Sequence, residues 1–296
     1  MNTALVLGGG GPIGIAWEAG LLLGLRDRGL DLAKADRIVG TSAGAIVGTH
    51  LALLGSVEEL YAAQATPLDD RIKPPDMLPL MAAFAKAKLF SRSVDAERRS
   101  LGKSALSANV PDEQAWLDAI ASFLPRENDA TVTNWPEREL LLTAIDVETG
   151  ELLTWTQDSG VPLPLAVASS CAVPCVYPLV HISGRVYMDG GMGSPTNAAF
   201  GSGYDLVIIA DPLARIMGRQ SPMLKEKADL LNQGSQVVTF GFDDAIVDLI
   251  GMNLMDASKR GQVAELARDQ GQRAADPPMH ADRSTAENAS LLAALR

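Results

Sequence analysis

The chain has 296 residues, enough for one large or two small domains with a complete core. Apolar residues make up 47% and charged residues 21%, an ordinary globular composition. A net charge of -11 excludes a generally basic nucleic-acid binder, and two cysteines exclude a disulfide-stapled secreted scaffold.

No basic residue precedes Arg26, so the start lacks the pattern of a secretory signal. Apolar runs such as Leu21 to Leu25 and Leu51 to Leu54 fall far short of the roughly 20 residues that span a bilayer. The expectation is a cytoplasmic protein, peripheral to a membrane at most. In chain order, Thr3 to Leu7 reads as a buried strand and Ala16 to Arg28 as a helix ending at Gly29. Arg37 to Val39 is a second strand, followed by a helix over Ala43 to Leu54. Later strands are expected at Leu140 to Ile145, Leu152 to Thr156, Val186 to Met188, Leu206 to Ala210 and Val237 to Phe240, with a turn at Val147 to Gly150 between the first two. This alternation favours an α/β fold with a mostly parallel sheet and helices on both faces.

Between Tyr61 and Pro136 the strand signal disappears, and Pro67, Pro74, Pro75, Pro79 and Pro111 separate short helical patterns. This stretch, 61–136, reads as a helical cap inserted into a domain of residues 1–270. Residues 271–296 then read as a polar linker containing Pro277 and Pro278, followed by a short terminal helix. The window from Arg71 to Lys103 is net +5, against -16 for the remainder.

Two turns carry candidate chemistry. Gly8 to Gly14 follows the first strand and opens a helix. Gly9, Gly11 and Gly14 have the spacing of a dinucleotide loop, but consecutive unhindered N–H groups also suit an oxyanion hole. A tight turn with no chemistry is the third reading. The dinucleotide reading wants an acidic residue closing the second strand, and that strand instead runs into a serine. The second turn, Gly40-Thr41-Ser42-Ala43-Gly44, has the Gly-x-Ser-x-Gly pattern between a strand and a helix, the context of a nucleophile elbow.

A serine nucleophile needs a base. His50 lies two turns along the same helix as Ser42, His181 beside a proline-rich turn, and His280 in the polar tail. A Ser-His-Asp esterase would have to use His280. Asp189-Gly190-Gly191 offers a carboxylate instead, able to accept a proton if its site is dry. It also fits an ordinary Asp-Gly turn. Cys171 and Cys175 read as buried thiols; Trp17, Trp116, Trp135 and Trp155 read as core or cap packing.

The glycine loop, Gly-Thr-Ser-Ala-Gly and Asp-Gly-Gly, in this order, resemble the patatin-like phospholipases. The segment from Ala168 through Pro178 to Gly191, and the turn Asp146 to Glu151, resemble the same family, and the likeness covers about residues 3 to 245. The resemblance implies a three-layer α/β/α serine acyl hydrolase, with no cofactor or metal, acting on phospholipid or related lipid esters. It implies Ser42 as nucleophile and Asp189 as general base. It also implies oxyanion donors among Gly9, Gly10, Gly11 and Gly14, supported by Gly40, Gly44, Gly190 and Gly191. The chain departs from the family at Ile13, where Arg or Lys often stands. On the substrate side, Met77 to Phe90 is apolar and edged by lysines. Residues 77–103 are therefore a candidate peripheral membrane contact, the alternative being a packed cap with solvated charges.

Overall fold

The computed structural model describes residues 1–66, 75–251, 253–276 and 283–295. An eight-stranded sheet forms its centre. The strands are β1 (Thr3–Leu7), β2 (Arg37–Gly40), β5 (Glu139–Asp146), β6 (Leu152–Trp155), β7 (Val180–Ile182), β8 (Arg185–Asp189), β9 (Leu206–Ala210) and β10 (Gln236–Phe240). The order is β10-β9-β1-β2-β5-β8-β7, with β6 also pairing to β5. Strands β10, β9, β1, β2 and β5 run parallel, whereas β6 and β8 lie antiparallel to β5.

Period-two alternation divides the sheet residues between two faces. Leu5, Leu7, Ile38, Leu140, Leu142 and Ile208 join one core. That core is covered by α1 (Gly11–Arg26), α2 (Ala43–Leu54), α7 (Leu163–Ser170) and α11 (Arg260–Ala275). Val6, Val39, Leu141, Val207 and Ile209 face the other way, against α9 (Met223–Asn232). Both faces of β1 are thereby buried, which is why all five of its residues are apolar or small.

Between α3 (Glu58–Ala63) and β5 stand α4 (Leu78–Phe90), α5 (Val94–Ala105) and α6 (Glu113–Phe123). Ala83 and Ala87 of α4 and Leu101 and Ala105 of α5 pack on Ile145, Val147 and Met188, so the pair covers the β5–β8 edge. Two strands interrupt this helical stretch, contrary to expectation: β3 (Arg126–Glu127) and β4 (Ala130–Thr131) form a hairpin. Asn128 and Asp129 both have positive φ, the conformation of a tight two-residue hairpin turn, and strands of two residues are too short to alternate visibly.

Three boundaries also differ. Helix α1 begins at Gly11, with Pro12 in its first turn where the missing N–H costs nothing. Helix α7, unmarked in the sequence, has prolines at its start in the same way. Helix α11 runs to Ala275, into the segment expected to be linker. The prolines of that segment and His280 lie outside the described residues, and α12 (Arg283–Ala293) follows them.

Candidate active site

The site is assembled at the carboxyl ends of β1 and β2. These strands are parallel neighbours with Leu7 opposite Gly40, so the glycine loop and the serine turn leave the sheet side by side. Binding crevices of open α/β sheets lie at this edge. The register carries further: Gly40 is level with Leu142, and Ala144 is level with Asp189. Position 42 therefore projects to the level of Asp189, about two strand spacings or roughly 10 Å across the sheet. Two side chains facing one another can bridge that gap.

Ser42 has φ 55° and ψ -115°, outside the regions open to most residues. Such a conformation costs about 1–3 kcal/mol and persists only when its surroundings hold it. Here the Ser42 N–H donates to Ser170 Oγ at 3.0 Å, and the Ser42 carbonyl accepts from Ala45 N–H at 2.9 Å and Cys171 Sγ at 3.2 Å. The Gly44 N–H donates to Gly8 O at 3.0 Å, tying the two turns together. A Cβ on Gly44 would collide with the Leu7 carbonyl, so the elbow packs against β1 only with glycine there.

Asp189 ends β8 and is 1% exposed. Its Oδ1 accepts the Gly191 N–H at 2.6 Å, and the Ser42 side chain is the polar side-chain neighbour that acts on its charge. Burial raises its pKa from 3.8 to about 7, against the lowering effect of those two neighbours. Ser42 itself is 8% exposed. The structure thus brings together the two side chains that the sequence singled out.

The four glycines separate into two pairs. Gly9 donates its N–H to Pro195 O and Gly14 donates to Gly10 O, both at 2.8 Å, so neither is free to hold an oxyanion. The Gly10 and Gly11 N–H groups meet no acceptor among the described residues. Gly9 still lines the site, because a Cβ there would lie 3.3 Å from Ser42 Cβ. Ile13 is fully buried, with its N–H toward Leu254 O at 3.4 Å.

A second layer of polar groups was not anticipated. Asn197 Nδ2 reaches Thr41 Oγ1 at 3.1 Å, Thr143 Oγ1 at 3.3 Å and Gly190 O at 3.1 Å. Thr143 also donates to Thr41 at 2.9 Å. This cluster joins the end of β2, the middle of β5 and the turn after Asp189. The only sequence trace of it is an asparagine a few residues past Asp-Gly-Gly.

Neither described histidine is in the site. His50 Nε2 lies 2.6 Å from Phe123 O, and burial lowers its pKa. His181 pairs with Glu113 at 2.7 Å on the surface. Both cysteines are free and buried, and burial followed by the nearby Asp189 charge pushes the Cys171 thiol upward. Among the described residues, no group of three His, Cys, Asp or Glu could hold a metal ion. No helix among them is long and apolar enough to cross a membrane.

A strained serine at the end of one strand and a buried carboxylate at the end of another thus stand together on an α/β scaffold. The family model described as patatin-like phospholipase matches residues 5–200, and the chain belongs to that family of lipid acyl hydrolases. Among solved structures, VipD from Legionella pneumophila is similar at 14% identity and a TM-score of 0.40, covering 92% of this chain and 66% of VipD. The type III effector protein ExoU is similar at 16% identity and a TM-score of 0.38, covering 92% of this chain and 53% of ExoU. The chain thus spans less than two thirds of either neighbour. No curated protein matches it in sequence.

Proposed function

We propose that the protein hydrolyses carboxylic esters of phospholipids or related lipids through an acyl-Ser42 intermediate. Ser42 Oγ attacks the ester carbonyl while its proton passes to Asp189. The Gly10 and Gly11 N–H groups stabilise the oxyanion, each contributing about 100- to 1,000-fold in rate. Collapse breaks the bond from carbonyl carbon to alcohol oxygen, and Asp189 returns the proton to the departing alcohol. Asp189 then takes a proton from water, which attacks the acyl-enzyme; collapse breaks the bond from carbonyl carbon to Ser42 Oγ, and Asp189 returns the proton to Oγ as the fatty acid leaves.

The observation that carries this reading is the buried Asp189 carboxylate, anchored by the Gly191 N–H beside the strained Ser42, with burial raising it to about 7. A base poised near the working pH combines a populated basic form with adequate driving force. In water its carboxylate would be far too weak. A fluorophosphonate probe followed by intact-mass measurement tests the proposal: one adduct is expected on the native chain and none on Ser42→Ala. An adduct that survives Ser42→Ala refutes it.

The lipid surface is proposed to meet α4. Its inner face packs through Leu80, Ala83 and Ala87, yet Leu78, Met81, Leu89 and Phe90 remain exposed. Phe90 and Leu89 are each 75% exposed. Lys86, Lys88 and Arg92 lie beside them, also exposed, and suit an anionic surface.

A further inference from the structure

Arg98 is the cation of the cap that its own fold leaves under-used. It projects from α5, and its side chain is 12% exposed. A guanidinium carries five donors. Among the described residues, Nη1 takes the only partners: Gly150 O at 3.5 Å, the outer limit of a hydrogen bond, and Asp95 Oδ1 at 3.6 Å. Nε is buried with no partner, and Nη2 bonds to none of the described residues. Arg99, by contrast, makes a sound 2.9 Å bond to Thr149 O. Burial lowers the pKa of Arg98, with Asp95 opposing it weakly from a side chain that is mostly exposed.

Arg98 also packs against the turn that follows Asp189. Its guanidinium rests against Gly193, and a Cβ at 193 would lie 2.6 Å from Nε. Residues Gly190–Met192 form one 3-10 turn between Asp189 and Gly193. At about 2 Å of rise per residue, Gly193 follows Asp189 by roughly 8 Å. The phosphate of a glycerophospholipid hangs a few bonds from its ester carbonyls, a comparable reach. The glycine loop cannot supply a cation there, because position 13 is a buried isoleucine.

We propose that Arg98 receives the phosphodiester of a phospholipid substrate and so sets the preference for phospholipids over neutral acylglycerols. The proposal rests on the hydrolase reading above. Arg is suited to the role because its planar fork matches phosphate oxygens and its charge persists when desolvated.

The experiment compares kcat/KM for a phospholipid and a diacylglycerol of identical acyl chains, in the same mixed micelles, for native protein, Arg98→Gln, Arg98→Lys and Gly193→Ala. Arg98→Gln is expected to lose about tenfold or more on the phospholipid, the effect of one charge-assisted hydrogen bond, and to stay within twofold on diacylglycerol. Arg98→Lys should fall between. Gly193→Ala, which leaves the charge intact but displaces the guanidinium, should show the same selective loss. Equal losses on both substrates, no loss on either, or unfolding of all three variants would overturn the proposal and make Arg98 a structural pin. Calorimetry with glycerol 3-phosphate and with inorganic phosphate supplies a second arm. Glycerol 3-phosphate binding that Arg98→Gln abolishes supports the proposal even if the native chain hydrolyses neither ester, in which case the hydrolase reading alone fails. Equal binding of inorganic phosphate would reassign Arg98 to free phosphate and overturn the head-group role.

Discussion

Replacing Asp189 with Asn separates what its carboxylate does for chemistry from what it does to the fold. The group is buried and its pKa rises from 3.8 to about 7 on folding. A raised acid binds its proton more tightly when folded, so its favourable contribution is complete below pH 3.8 and is lost as the pH climbs toward 7. At 1.36 kcal/mol per pKa unit, keeping Asp189 ionised in the fold costs roughly 4 kcal/mol at pH 8. At pH 5 the cost is only about 1.7 kcal/mol. Asn preserves shape and cannot ionise. Urea denaturation of both proteins should therefore show Asp189→Asn gaining stability relative to native by roughly 2–3 kcal/mol between pH 5 and pH 8. Groups common to both proteins cancel in that difference. Ester hydrolysis should meanwhile fall by about 100- to 10,000-fold, the usual worth of a general base. Native kcat/KM should rise with pH to a plateau just above 7. A stability difference that does not change with pH would refute the burial argument, and undiminished hydrolysis by the variant would remove Asp189 as base.

Gly44→Ala should cost about 3 kcal/mol or more by denaturation, because the new methyl meets the Leu7 carbonyl rather than a flexible side chain. Asn197 has φ 52°, so Asn197→Gly suits the backbone while deleting the amide; losing its bonds to Thr41, Thr143 and the Gly190 carbonyl should cost about 1–3 kcal/mol, with kcat falling more than KM changes. Glu18, fully buried with neither carboxyl oxygen bonded, is raised well above its ordinary pKa mainly by burial; Glu18→Gln should leave stability at pH 7 within about 1 kcal/mol of native or higher, and a large loss would show that the ionised form is needed. Charge reversal at Lys86, Lys88 and Arg92 should weaken co-sedimentation with anionic liposomes while sparing hydrolysis of a soluble ester, and unchanged sedimentation would remove α4 as the contact.

The central strands are legible because they are apolar on both faces: Thr3–Leu7 and Leu206–Ala210 are observed where their composition places them, whereas β7, three residues long with His181 exposed, carries no such mark. The serine turn is equally legible, since small residues at 40, 43 and 44 follow from backbone packing that leaves no room for larger ones. The division of the glycine loop is different. Gly9 and Gly14 differ from Gly10 and Gly11 only in which carbonyl lies opposite, and Pro195, which occupies Gly9, is remote in sequence. The same distance hides Asn197 and Ser170, whose roles come from polar partners brought in by other strands. Arg98 illustrates the converse: in sequence it is one of several cap cations, and only burial without a partner sets it apart from Arg99.

The acids around the glycine loop follow one physical rule. Asp211, next to the Pro212 that packs on Gly10, is raised to about 6, first by burial and then by the Glu226 charge opposing it. Glu18, facing Gly8, is likewise raised, mainly by burial, and the Asp211 charge adds to that effect. An ionised carboxylate behind the loop would repel an oxyanion developing in front of it, because charges in a low-dielectric interior interact strongly. Burial favours the neutral form of Glu18 and so weakens that repulsion behind the loop. The same burial gives Asp189 its basicity. One dry interior therefore acts alike on these carboxyl groups, favouring the neutral form behind the loop and raising Asp189 to about 7 beside Ser42.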